Sequence, residues 1–151
     1  MGGASGLGLG IAIARPDTPV IVLDGDSSLL MELGSLVTVA RRAPRRYLHV
    51  VVDNGVQFNG LTNLPAVSCA GSRAGSASGV DFAAMALAAG YARAERVDSL
   101  ARWVEALPRL LAAEGPSFVD LVVPADARRI GPSTPQPLLP ELQFVRMRQG
   151  V

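Results

Sequence analysis

The sequence predicts an α/β domain in three layers, a parallel sheet covered by helices on both faces, and three observations lead there. Val20–Asp24, Tyr47–Asp53 and Phe118–Val123 are apolar runs without alternation, the pattern of strands buried on both faces. Between the first two, Leu29, Leu33, Leu36 and Ala40 recur at helical spacing. The first two strands also end alike, in Asp24-Gly25-Asp26 and Asp53-Asn54-Gly55. Strands alternating with helices give a parallel sheet, and its carboxyl ends are where such sheets bind ligands.

Taken in order, residues 5–14 are small and aliphatic and predict a helix stopped before Pro16. Val20–Asp24 is the first strand. Ser27 and Ser28 are suited to cap a helix over residues 29–41, with Leu30 and Val37 beside its apolar face and Pro44 ending it. Tyr47–Asp53 is the second strand. Residues 54–79 are rich in Gly, Ser and Asn and lack periodicity, so they read as a long loop, which in a compact domain is functional or mobile. Asp81–Ala89 reads as a helix and Tyr91–Val97 as a short strand. Asp98–Ala113 reads as a helix opened by Asp98 or Ser99 and kinked at Pro108. After the strand Phe118–Val123, a Pro-rich stretch over 131–140 leads into a short final helix carrying Arg146 and Arg148. No internal repeat is present.

Composition narrows the function. With 151 residues the chain makes one domain, large enough for a real core. It is 49% hydrophobic with a net charge of +1, which excludes disorder and gives no electrostatic case for nucleic acid or an anionic membrane. All 14 basic residues are arginine, so no lysine-dependent chemistry operates here. Cys69 stands alone, which excludes a disulfide framework or zinc site within the chain and points to a reducing cytoplasm. No apolar run reaches the ~18 residues of a membrane span. The glycine-rich start lacks a basic leader and does not read as a signal peptide.

The chemistry-bearing residues lie at the two strand ends. A Gly25-Asp26-Ser27-Ser28 turn opening a helix suits a phosphate, because exposed N–H groups and the helix dipole attract anions. A hard cation held by Asp26, Asn54 and a backbone carbonyl would clamp a diphosphate against that turn. A rival motif is Gly2-Gly3-Ala4-Ser5-Gly6-Leu7-Gly8, which matches the glycine turn of short-chain dehydrogenases, with Asp24 about where a ribose-binding acid would fall. That turn must follow a strand, and only Met1 precedes it. The Tyr-x-x-x-Lys of those enzymes cannot exist without lysine either. His49, the single histidine, sits mid-strand and reads as a structural or edge residue. Glu32 reads as a solvated or interface carboxylate, Arg73 as a surface arginine or a partner for an anionic substrate, and Asp24 as a neighbour of the metal site rather than a ligand.

Gly25-Asp26-Ser27 followed by Asp53-Asn54 resembles the diphosphate-binding signature of thiamine-diphosphate enzymes, Gly-Asp-Gly and then Asn-Asn. The nearer likeness is to phosphonopyruvate decarboxylases and the small (beta) subunits of sulfopyruvate decarboxylase. It is carried by Met1-Gly2-Gly3-Ala4-Ser5, Leu33-Gly34-Ser35-Leu36, Val52-Asp53-Asn54-Gly55-Val56, Val80-Asp81-Phe82-Ala83-Ala84 and Gly131-Pro132-Ser133-Thr134-Pro135. The resemblance implies the thiamine-diphosphate-binding fold of the diphosphate-domain type, thiamine diphosphate and Mg2+ as cofactors, and decarboxylation of a small 2-oxo acid. It implies Asp26, Asn54 and the Val56 carbonyl as metal ligands. It also places Met1, Gly2, Gly25, Ser27, Ser28, Gln57 and Phe58 at the cofactor, with Met1 under its bend as the residue nearest the chemistry. Two departures stand out: Ser27 replaces the third glycine, and Gln57-Phe58-Asn59-Gly60 replaces an acidic, hydroxyl-rich run.

The resemblance further implies that residues 1–151 are one diphosphate-binding domain lacking its first strand and helix, with 131–151 as a Pro-rich extension. The missing half of the site implies a pyrimidine-domain partner subunit that supplies a catalytic glutamate, most simply in a heterotetramer. Three alternatives remain at this stage: a carboligase subunit of acyloin or acetolactate type, a degenerate non-catalytic subunit, and a dehydrogenase fragment.

Overall fold

A computed structural model describes residues 2–59, 62–65 and 80–124, with only the backbone of 56–59 and 62–65. Helix α1 (Ala4–Ala14) leads into strand β1 (Val20–Gly25), two short helices α2 (Asp26–Met31) and α3 (Ser35–Arg42), and strand β2 (Arg46–Asp53). A hairpin β3 (Val56–Asn59) and β4 (Thr62–Pro65) follows, then α4 (Phe82–Ala89), β5 (Arg93–Val97), α5 (Leu100–Ala112) and β6 (Gly115–Val122). The main sheet runs β1-β2-β6-β5 with every pairing parallel, as alternating strands and helices require.

Helices α1 to α4 cover one face. Leu9, Ala12, Val22, Leu29, Val39, Val51, Phe82, Ala86 and Phe118 form its core. Helix α5 covers the other, where Ala106 and Leu110 meet Leu48, Val50, Val97 and Val119. Each fully buried Leu, Val or Phe contributes about 1.5–3 kcal/mol of transfer free energy. The helices end where side chains dictate. Asp81 caps α4 by accepting the N–H of Ala84 at 2.9 Å, Gly90 closes it at φ +107°, and Ser99 caps α5.

Four expectations change. First, β1 is not buried on both faces: Ile21 is 51% and Leu23 69% exposed, because α5 lies over β2, β6 and β5 and stops short of this edge strand. Second, the single helix over 29–41 is two helices. The chain turns at Glu32–Gly34 through short-range bonds, Glu32 N–H to Leu29 O at 3.0 Å and Ser35 N–H to Glu32 O at 2.8 Å. Gly34, a weak helix former, stands at the break, and Ser35 Oγ is tied to Ser5 Oγ of α1 at 2.8 Å. Gly25 therefore occupies the cap position, and Ser27 and Ser28 lie inside α2. Third, the stretch 54–79 contains the β3–β4 hairpin. Fourth, Tyr91 precedes β5 instead of belonging to it, held by its N–H to Ala86 O at 3.0 Å. Helix α5 is a single element that runs on through Pro108. The expected helix after the Pro-rich tail lies outside the described residues.

Candidate functional site

The register sets Gly25 beside Val52, so the chain leaves β1 at Asp26 next to where it leaves β2 at Asp53 and Asn54. Asp26 begins α2 and is 2% exposed. Its Oδ2 accepts the N–H of Gly55 at 2.8 Å, and its Oδ1 accepts the N–H of Ser27 at 2.6 Å and the Ser27 hydroxyl at 3.3 Å. Burial pushes the Asp26 carboxyl up from its ordinary range. The N–H groups of Ser27 and Gly55 pull it back, and the charge of Asp53 adds to the upward shift. A desolvated carboxylate beside a second one is a place where a cation relieves repulsion. Among the described residues no three His, Cys, Asp or Glu side chains form a metal cluster, so a cation here needs a mixed set of carboxylate, amide and backbone oxygens.

Gly55 escaped sequence reasoning. Its φ of +69° is left-handed, and this aims its N–H back at Asp26. The signal was present in the Asn54-Gly55 dipeptide, a turn-forming pair. Gly2 is the second tight position. It adopts φ +86°, its N–H reaches Ser28 Oγ at 2.9 Å, and a Cβ there would sit 2.5 Å from Glu32 Cγ. The structure thus brings Gly2, Gly25, Asp26, Ser27, Ser28 and Gly55 into one cluster with Asn54 at its rim. Ser27, which stands where the resembled signature has its third glycine, folds its hydroxyl back onto Asp26. Of Val56, Gln57 and Phe58 the backbone is described, in β3. Met1 and Arg73 lie outside the described residues. Glu32 is exposed.

A polar layer underlies the cluster on the α1–α4 side of the sheet. Asp24, His49, Asp53 and Asp120 are all buried there. His49 sits in a central strand and not at an edge. Burial acts to raise the Asp24 carboxyl, but the neighbouring His49 and Ser28 side chains and the Gly25 N–H outweigh it and hold the group below its ordinary range. Asp120 is pushed up to about 6 by burial, against the pull of Arg96. Arg96 Nη2 lies 2.7 Å from Asp120 Oδ2 and donates to the Val80 carbonyl at 3.0 Å, fixing the point where the chain returns to α4. Nothing in the sequence separated Arg96 from the other arginines. Burial also keeps the Tyr47 and Tyr91 hydroxyls protonated, pushing both up.

The glycine run does not form a dinucleotide turn, since Gly6 and Gly8 lie within α1. Residues 1–121 match the family model described as thiamine pyrophosphate enzyme, C-terminal TPP binding domain. Phosphonopyruvate decarboxylase of Streptomyces viridochromogenes is 43% identical over 82% of this chain, which spans 28% of that protein. Sulfopyruvate decarboxylase subunit beta of Methanothermobacter thermautotrophicus is 34% identical over 82% of this chain and 58% of its own length. A thiamine diphosphate-dependent 4-hydroxybenzoylformate decarboxylase of Rhodococcus jostii superposes with a TM-score of 0.65 at 23% identity, covering 83% of this chain and 24% of that one, and carries the fold comparison alone. The chain spans about a third or less of the two phosphonopyruvate decarboxylases it matches.

Proposed function

From the premise that this chain belongs to the C-terminal TPP-binding domain family of thiamine pyrophosphate enzymes, we propose that it is the diphosphate-binding part of a 2-oxo acid decarboxylase. The observation that carries the proposal is the buried Asp26, linked at 2.8 Å to the turn that bears Asn54. The donor set fits a hard cation. The Asp26 carboxylate, the Asn54 side-chain oxygen and the Val56 carbonyl would hold Mg2+, and the Gly25–Ser28 turn would receive the diphosphate. The bound cofactor supplies an electron sink for loss of carbon dioxide from a 2-oxo acid.

This chain's own residues bind and orient. Asp26 and Asn54 would tie the ends of β1 and β2 to one cation, and the Gly55 N–H holds the Asp26 carboxylate in place. Gly2 is bonded to Ser28 of the turn, and Met1, matching the bulky apolar residue of the resembled family, would support a bent cofactor. The second half of the site comes from a pyrimidine-domain subunit with a catalytic glutamate, assembled with this chain most simply as a heterotetramer in the cytoplasm. The subunit name of the sulfopyruvate relative supports a two-chain arrangement. Among the described residues no helix is long and apolar enough to cross a membrane.

The test is to assay decarboxylation of phosphonopyruvate, sulfopyruvate and other small 2-oxo acids with this chain alone, with its partner, and with the partner's glutamate replaced. Activity in the pair, lost with that glutamate, is the expected result. Activity from this chain by itself overturns the split site, and acyloin formation without net aldehyde release assigns a carboligase instead.

A further inference from the structure

Asp24 and His49 have no part in the function proposed above, yet both are buried polar side chains directly beneath the turn it uses. His49 is fully buried in β2, edge-on to Phe118 at a centroid distance of 5.1 Å, with Nδ1 3.2 Å from the Tyr91 hydroxyl. Its Nε2 faces Asp24 Oδ2 at 3.6 Å, and among the described residues neither atom has a hydrogen-bond partner. Asp24 Oδ1 accepts the N–H of Gly25 at 3.0 Å, and the Ser28 side chain lies beside the same carboxylate. Ser28 Oγ in turn accepts the N–H of Gly2 at 2.9 Å. A polar chain therefore runs from a ring locked in the core to both ends of the turn.

Stability gives no reason for this chain. Burying a carboxylate against an imidazole costs more than packing two apolar groups of the same volume, which the neighbouring Val22, Val51 and Phe118 do on this face. We infer that His49 is a positioning residue, which acts through Asp24 and Ser28 to fix the orientation of Gly2 and of the Gly25–Ser28 turn. Its use for a diphosphate rests on the proposed function; the tether does not.

Hydrogen exchange of the full chain tests the tether without cofactor, comparing wild type, His49→Phe (ring volume kept, both nitrogens removed) and His49→Gln (a polar head kept). In His49→Phe, amides of residues 23–31 should exchange about tenfold faster or more while those of 115–122 stay as in wild type. His49→Gln should restore most of the protection. Calorimetry with Mg2+ and thiamine diphosphate should then give His49→Phe a Kd weaker by about 10- to 100-fold. A folded His49→Phe with wild-type exchange over 23–31 overturns the inference, and altered exchange with a wild-type Kd overturns its use for the diphosphate. If wild type itself does not bind the cofactor while the exchange pattern appears, the diphosphate reading falls and the tether stands. Should His49→Phe fail to fold, Asp24→Asn reads the same chain from the other partner, and unaltered exchange there overturns it equally.

Discussion

The two faces of the sheet are filled with different chemistry. Toward α5, Leu48, Val50, Val97 and Val119 meet Ala106 and Leu110, and Ser117 apart, the buried side chains there are apolar. Toward α1–α4, apolar residues share the strands with Asp24, His49, Asp53 and Asp120. A face that has only to stay folded gains nothing from buried carboxylates, each of which must be desolvated. One face of the sheet therefore serves stability, and the other gives up stability to hold oxygen atoms in place at the strand ends.

Substitutions that separate stability from binding can break this contrast. The largest effect is expected from Asp26→Ala, which should abolish thiamine diphosphate binding while the fold persists, since the change removes a buried charge already held up by desolvation. Calorimetry with Mg2+ and with EDTA measures this, and binding that survives in EDTA would sink the metal clamp. On the other face, Leu110→Ala should cost about 2–5 kcal/mol in urea unfolding and leave the cofactor Kd of the folded protein unchanged. A shift in Kd there would mean that the two faces are coupled.

Asp120 gives a pH test. Its folded value near 6 lies above the ordinary 3.8, so its charge costs stability above pH 6, and that cost disappears as pH falls toward 4. Wild type should therefore gain on Asp120→Asn by up to about 3 kcal/mol between pH 7 and pH 4. Paired denaturant curves check this, and a gap independent of pH would remove Asp120 from the costly side of the comparison. The smallest effect is expected from Asn54→Ala, about tenfold in cofactor Kd or about 1.4 kcal/mol, because a neutral ligand at the rim is lost and the carboxylate remains.

The parts of this arrangement that the sequence revealed are those set by local chemistry. Apolar runs located β1, β2 and β6, and of the two residues offered to open the last helix, Asp98 and Ser99, it is Ser99 that caps it. The adjacency of Asp26 and Asn54 was legible because strand ends in a parallel sheet converge. Long-range packing was not legible. The break at Glu32–Gly34 follows from docking Ser35 on Ser5, and the exposure of Leu23 follows from where α5 happens to lie. Arg96 and His49 gained their meaning only from partners distant in sequence, Val80 and Asp120 for one and Asp24 for the other. Gly55 was readable as a turn residue but not as a donor to a carboxylate in another strand's turn.

The strand order β1-β2-β6-β5 also constrains how the chain can fold as it is made. Strand β6, last of the four in sequence, lies between β2 and β5, so β5 has no neighbour in the sheet until β6 arrives. Pairing across so long a separation is slow, and the nascent chain carries an open β2 edge through the synthesis of α4, β5 and α5. Conditions that delay β6, or substitutions within Phe118–Asp120, should therefore show first as lost yield of soluble protein, before any change in what the finished protein binds.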